Sequence, residues 1–172
     1  LFRGDSLADE QRAAVAARVA ELTGLSRDYV LRSNLRVEHM RFCKELLRDQ
    51  RKTVGRLDSR FTGADRDAVG EHWEYDPSHA AINGAYSGAL NAYVREELAF
   101  TSDLPYEVLA GLYETWDYSK HQNQFVDVSE RLRSAMTQNP ALQVIVANGY
   151  FDLATPFYAT EYTVNHLALE PH

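Results

Sequence analysis

Residues 142–157, LQVIVANGYFDLATPF, hold the side chain best placed to do chemistry. Leu142, Gln143, Val144, Ile145 and Val146 form a short apolar, β-branched run, whose length and Val/Ile content predict a buried strand. Ala147, Asn148 and Gly149 carry a turn signature. Asp152 follows between Phe151 and Leu153, and Thr155 with Pro156 is expected to open a helix. A carboxylate is thus expected just past the C-terminal edge of a strand, where open α/β sheets build their sites. It could accept the Nδ1 proton of a histidine, fix its tautomer and stabilise the imidazolium that forms when a serine is deprotonated. On the pattern of this stretch alone, the expectation is that it caps the following turn or pairs with an arginine.

Other groups able to act lie upstream. Arg56, Asp58 and Arg60 alternate within residues 53–63, so all three point one way if the backbone is extended. Such a row can bind a carboxylate or close on itself as a structural salt-bridge cluster, and the cluster is the expectation. His72 and His79 bracket an acidic stretch with Glu71 and Glu74, without the spacing of a metal site. No metal and no cofactor is expected. His121 is expected to be exposed and inert. Cys43 is the single cysteine and sits at an apolar position of a helix, so it is expected as a small buried hydrophobe. Eleven of the 19 aromatic residues fall in residues 61–125. Trp73, Tyr75, Tyr113, Trp116 and Tyr118 are the ones expected to line a pocket, although aromatic residues equally fill ordinary cores.

The elements that must position these groups read as mostly helical. Ser6 and Asp9 form a capping box before a helix reaching about Leu22, with Leu7, Val15, Val19 and Leu22 on one face and Gly24 at its end. Ser26 caps a short second helix, and Asn34 interrupts before a third, over about 36–50, whose face is Val37, Met40, Cys43, Leu46 and Leu47. A short strand entering a tight turn is expected at 53–63, and a mobile loop or lid at 63–76. A long helix from Asp76-Pro77 to about Phe100 is striped by Ile82, Tyr86, Leu90, Tyr93 and Leu98. Its Gly84 and Gly88 suggest close packing. Asp127 and Glu130 open another helix, which leads into the strand at Leu142.

The 172 residues are 45% hydrophobic and 25% charged, a globular composition with no apolar run near the ~20 residues that span a membrane. The net charge of −7 is uneven. Residues 1–60 hold 13 Lys/Arg against 9 Asp/Glu, and residues 61–172 hold 5 against 16. No basic stripe interleaves with aromatics, so neither nucleic acid nor a membrane is expected as partner. The chain opens at Leu1 rather than Met, and an upstream portion is expected.

GRLDSRFTG at 55–63, DLPYEVL at 103–109 and ANGYFDLATPFYATEY at 147–162 resemble the serine carboxypeptidase family, peptidase family S10, in its bacterial branch. The likeness runs over essentially the whole chain. It implies an α/β class protein carrying a partial α/β-hydrolase fold. A mainly helical cap would cover residues 1–125, and helix, strand, acid loop and helix of the hydrolase core would cover 126–172. It implies Asp152 as the triad acid, with Asn148 and Gly149 shaping its loop, and a peptide substrate. It also implies work outside the cytoplasm, secreted or periplasmic. The family's Gly-x-Ser-x-Gly elbow has no counterpart here; Ser87-Gly88 lacks the leading glycine and strand. His166 sits too near the acid in sequence, and His172 is terminal. The nucleophile is expected upstream of Leu1 and the histidine downstream, so the isolated chain is expected to be inactive. A helical interaction module derived from the cap, or a non-peptidase esterase on the same scaffold, are the competing expectations.

Overall fold

The computed structural model describes residues 3–169; His172 lies outside the described residues. The chain divides into two compact units, one up to Ala81 and one from Ile82.

In the first unit, α1 (Asp9–Thr23) ends where Gly24 adopts φ 77°, and the Gly24 N–H donates to Ala20 O. That left-handed turn is open to glycine without the Cβ penalty other residues meet. The expected capping box does not form: Ala8 occupies the cap position, and Ser6 Oγ donates to Arg3 O instead. α2 (Arg27–Arg32) starts as expected, with Ser26 Oγ accepting from Tyr29 N at 3.1 Å. It ends in a Schellman motif, in which Asn34 N donates to Leu31 O and Leu35 N to Val30 O, both at 3.0 Å. Asn34 and Leu35 have φ of 51° and 62°. The motif turns Leu35 back onto the core of Ala16, Leu25 and Val30, which Val19, Ala20, Phe42 and Leu46 complete. Ala16 rather than Leu22 is the buried centre of the α1 face; Leu22 is exposed.

α3 (His39–Glu45) is shorter than expected and passes into a 3-10 turn at Arg48–Gln50. It packs on β1 (Lys52–Val54), which pairs antiparallel with β2 (Thr62–Ala64) in the register Thr53↔Gly63. The strand expected at 53–63 is therefore a hairpin. Gly55 is required there, because a Cβ would fall 2.6 Å from both Asp58 O and Ser78 Cβ.

The unit division lies within α4 (Pro77–Ala92), which continues as a π-helical turn at Tyr93–Glu97. The second unit adds α5 (Ser129–Gln138) and α6 (Phe157–Asn165). Residues 142–149 belong to no helix and, among the described residues, pair in no ladder. The buried strand expected at 142–146 is thus corrected: Ile145 is 91% exposed, and Leu142, Val144 and Val146 are exposed too. β-branched composition favours an extended chain, but a strand is completed by a neighbour's N–H and C=O groups, and among the described residues none pairs with this run. The tyrosine stripe of α4 is exposed as well, and a Cβ at Gly84 or Gly88 would meet open space, so the expected close packing is absent among the described residues. Leu167 is the one buried hydrophobic of this unit among the described residues.

Candidate functional site

Asp152 closes a loop onto itself. Its N–H donates to Gly149 O at 3.3 Å. Its Oδ1 accepts from Ala154 N at 2.7 Å and Thr155 N at 3.0 Å, while Thr155 Oγ1 donates to Oδ2 at 2.6 Å. Asn148 Nδ2 donates to Thr155 O at 3.3 Å, so both residues expected to shape the loop do bond within it. Thr155 is spent on the carboxylate rather than on capping, and α6 begins one residue later than expected, at Phe157 with Pro156 at the cap. Both carboxylate oxygens thus accept from Ala154 and Thr155, two and three residues on. The side chain is half-buried and its direction is set by its own loop. Beside the loop, Val146, Asn148, Tyr150, Phe157, Glu161 and Val164 line a cavity of about 350 Å³.

His166 does not serve this acid. Its Nδ1 lies 2.6 Å from Tyr162 O, an acceptor that obliges Nδ1 to carry the proton, and its ring stacks on Tyr162 with centroids 3.9 Å apart. The N–H that a triad carboxylate would take is already donated.

The Arg56, Asp58 and Arg60 row separates. Arg60 Nε reaches Asp58 Oδ1 at 3.0 Å and Nη2 reaches Oδ2 at 2.6 Å. Those bonds from Arg60 hold the Asp58 carboxyl below its ordinary value. Arg56 takes part through its backbone N–H, which donates to Asp76 Oδ1 at 3.2 Å. Its guanidinium enters no ion pair among the described residues. Asp76 is the organiser here: it also accepts from Ser78 N at 2.9 Å and Ser78 Oγ at 2.5 Å, and Ser78 Oγ accepts from Leu57 N at 3.0 Å. Ser78 is fully buried, and two further polar atoms nearby in sequence or ladder, His79 Nε2 and Thr53 Oγ1, are buried without partners among the described residues.

The loop expected to be mobile is clamped. Lys44 Nζ, 3% exposed, donates to Asp65 Oδ2 at 2.5 Å and to Asp67 O at 2.9 Å. Arg48 donates to Ala68 O and Gly70 O, and Arg41 pairs with Glu71 at 2.9 Å. Asp65 Oδ1 accepts from Arg66 N and Glu74 N, closing the loop. Burial works to raise the Asp65 pKa, but the Lys44 ammonium and those two N–H groups outweigh it and hold the carboxyl below 3.8.

The pocket aromatics are not one group. Trp73 lines a cavity of about 360 Å³ with Lys44, Asp65 and His72, while Tyr75 packs against Gly63. Both belong to the first unit. Tyr113, Trp116 and Tyr118 are exposed in the second, with Trp116 and Tyr118 stacked at 6.3 Å. Cys43 is fully buried, and burial, with Asp76 and Glu38 adding to it, pushes its thiol up to about 12.

No protein-family model, curated protein or solved structure matches this chain. Among the described residues, no group of three or more His, Cys, Asp or Glu side chains could hold a metal ion, and no helix is long and apolar enough to cross a membrane.

Proposed function

We propose that this chain contributes the acidic member of a Ser-Asp-His triad to a serine carboxypeptidase of the S10 type, on an α/β-hydrolase scaffold. Asp152 is the acid. The serine and histidine come from polypeptide outside the 172 residues. The observation that carries this reading is the Asp152 carboxylate, oriented by Ala154 N, Thr155 N and Thr155 Oγ1 at the end of an apolar run. Donors on both oxygens fix the direction of the carboxylate, and a triad acid needs a fixed direction to hold one imidazole tautomer. In the reaction, the serine attacks the last peptide bond, the histidine takes its proton and returns it to the leaving amine, and water releases the acyl-enzyme. Asp152 holds the imidazole tautomer throughout.

The test is kinetic. In a protein that includes this chain with its serine- and histidine-bearing segments, Asp152→Asn should lower kcat for a blocked dipeptide by about 10⁴. Retention of activity within tenfold would reject the assignment. The exposed apolar surface of the second unit also supports a second reading, an interaction module derived from the cap. A fluorophosphonate that labels no serine in the complete protein would favour that module. Labelling with turnover of esters but not peptides would favour an esterase.

A further inference from the structure

We propose that Arg12 and Arg36 form a binding site for a compact dianion of the phosphate class, in the first unit and independent of the triad reading. They line a cavity of about 460 Å³ together with Asp5, Leu7, Asn34 and Leu35. Neither guanidinium has an acidic partner among the described residues, although most other arginines of this unit's helices and loops pair with one. Arg12 Nη2 donates to Asn34 Oδ1 at 2.7 Å. Because a guanidinium only donates, this bond fixes the amide orientation and leaves Asn34 Nδ2 as a further donor. Asn34 is itself held by the Schellman motif, its N–H on Leu31 O and its φ at 51°. The amide of the donor set therefore stands on hydrogen-bonded backbone. Two planar forks and an amide NH₂ offer two positive charges and only donors, which suits a phosphate dianion better than a monovalent carboxylate. The surrounding residues 1–60 carry the chain's positive surplus, which favours approach of an anion. Asp5 is the opposing charge in the lining, and it weakens binding.

The experiment is titration of the intact protein with inorganic phosphate at pH 7.5 and low salt, followed by amide chemical shifts of residues 33–36 and by calorimetry. Saturable binding is expected, with acetate at least tenfold weaker. Arg36→Gln should weaken phosphate at least tenfold; Arg36 is exposed and outside the core, so the variant should fold. Arg12→Gln should do the same, and Asp5→Asn should tighten binding. No saturation at 20 mM phosphate, unchanged affinity in Arg36→Gln, or acetate binding as tightly as phosphate would each overturn the proposal.

Discussion

At the scale of single residues, the same side-chain chemistry has opposite consequences according to what surrounds it. Asp152 and Asp58 are both carboxylates held by near neighbours in sequence, but Asp58 meets a guanidinium and Asp152 meets N–H and hydroxyl donors. The Arg60 guanidinium meets the Asp58 charge directly, whereas the N–H and hydroxyl donors of its own loop set the direction of the Asp152 carboxylate. That difference is why Asp152→Asn is expected to cost catalysis, whereas Asp58→Asn is expected to leave kcat unchanged and to remove one pair with an exposed guanidinium, with little change in the urea midpoint. Urea melts and kinetics on the two variants check both outcomes. Cys43 makes a second case. With no exposed surface and a thiol pushed up to about 12, it should resist a disulfide reagent at pH 8 in the folded protein and react fully after denaturation. Labelling of the native protein within minutes would contradict its burial.

Among elements, the decisive one is the clamp between α3 and residues 65–74. Lys44 and Asp65 are both almost wholly removed from water, and deleting one charge strands the other. Lys44→Met should destabilise the first unit by about 3–5 kcal/mol, measured by denaturant unfolding. The pH dependence has a definite sign. Because the folded Asp65 pKa lies below 3.8, its contribution is complete above that value and is lost as pH falls through the depressed folded pKa. An acid titration should show the loop becoming protease-sensitive only below about pH 4, and Lys44→Met should be sensitive at neutral pH. Elements closed by local signals were legible in the sequence: Ser26 starts α2, Gly24 ends α1 and Asn34 ends α2 through contacts within a few residues. The clamp was not legible, since its bonds span 20 residues or more and composition alone makes an acidic, irregular stretch look mobile. The hairpin partner of β1 was missed for the same reason, because Thr62–Ala64 has too few side chains to announce a strand. At the candidate site, the turn around Asp152 was legible because its bonds are local. The burial of 142–146 was not, because it depends on a neighbour the sequence of this stretch does not specify.

For the whole molecule, burial and charge are divided as sharply as the chain is. The buried hydrophobic residues Ala16, Leu25, Val30, Cys43 and Val54 all belong to the first unit, while Leu98, Phe100, Leu104, Phe125, Ile145 and Tyr158 stand open in the second. Residues 82–172 also hold 4 Lys/Arg against 11 Asp/Glu, so self-repulsion adds to the missing core. Apolar burial is the main favourable term in folding, at roughly 25 cal/mol per Å², and helices as short as α5 and α6 are marginal without it. The second unit should therefore be ordered only when another polypeptide surface covers it, whereas the first should hold its structure alone. Hydrogen exchange on the isolated chain reads this directly. Amides of Leu25, Val30 and Phe42 should be protected by several orders of magnitude. Those of 143–148, without a ladder partner among the described residues, should exchange near the rate of an unstructured peptide. Addition of the segments that bear the serine, the histidine and the neighbouring strands should slow 143–148 selectively and give a complex in which a fluorophosphonate labels the added serine, while neither part alone is labelled. Protection of 143–148 equal to that of the α1–α2 core in the isolated chain would mean that the second unit is already complete. The carboxylate at Asp152 would then be a loop device, with no imidazole to hold.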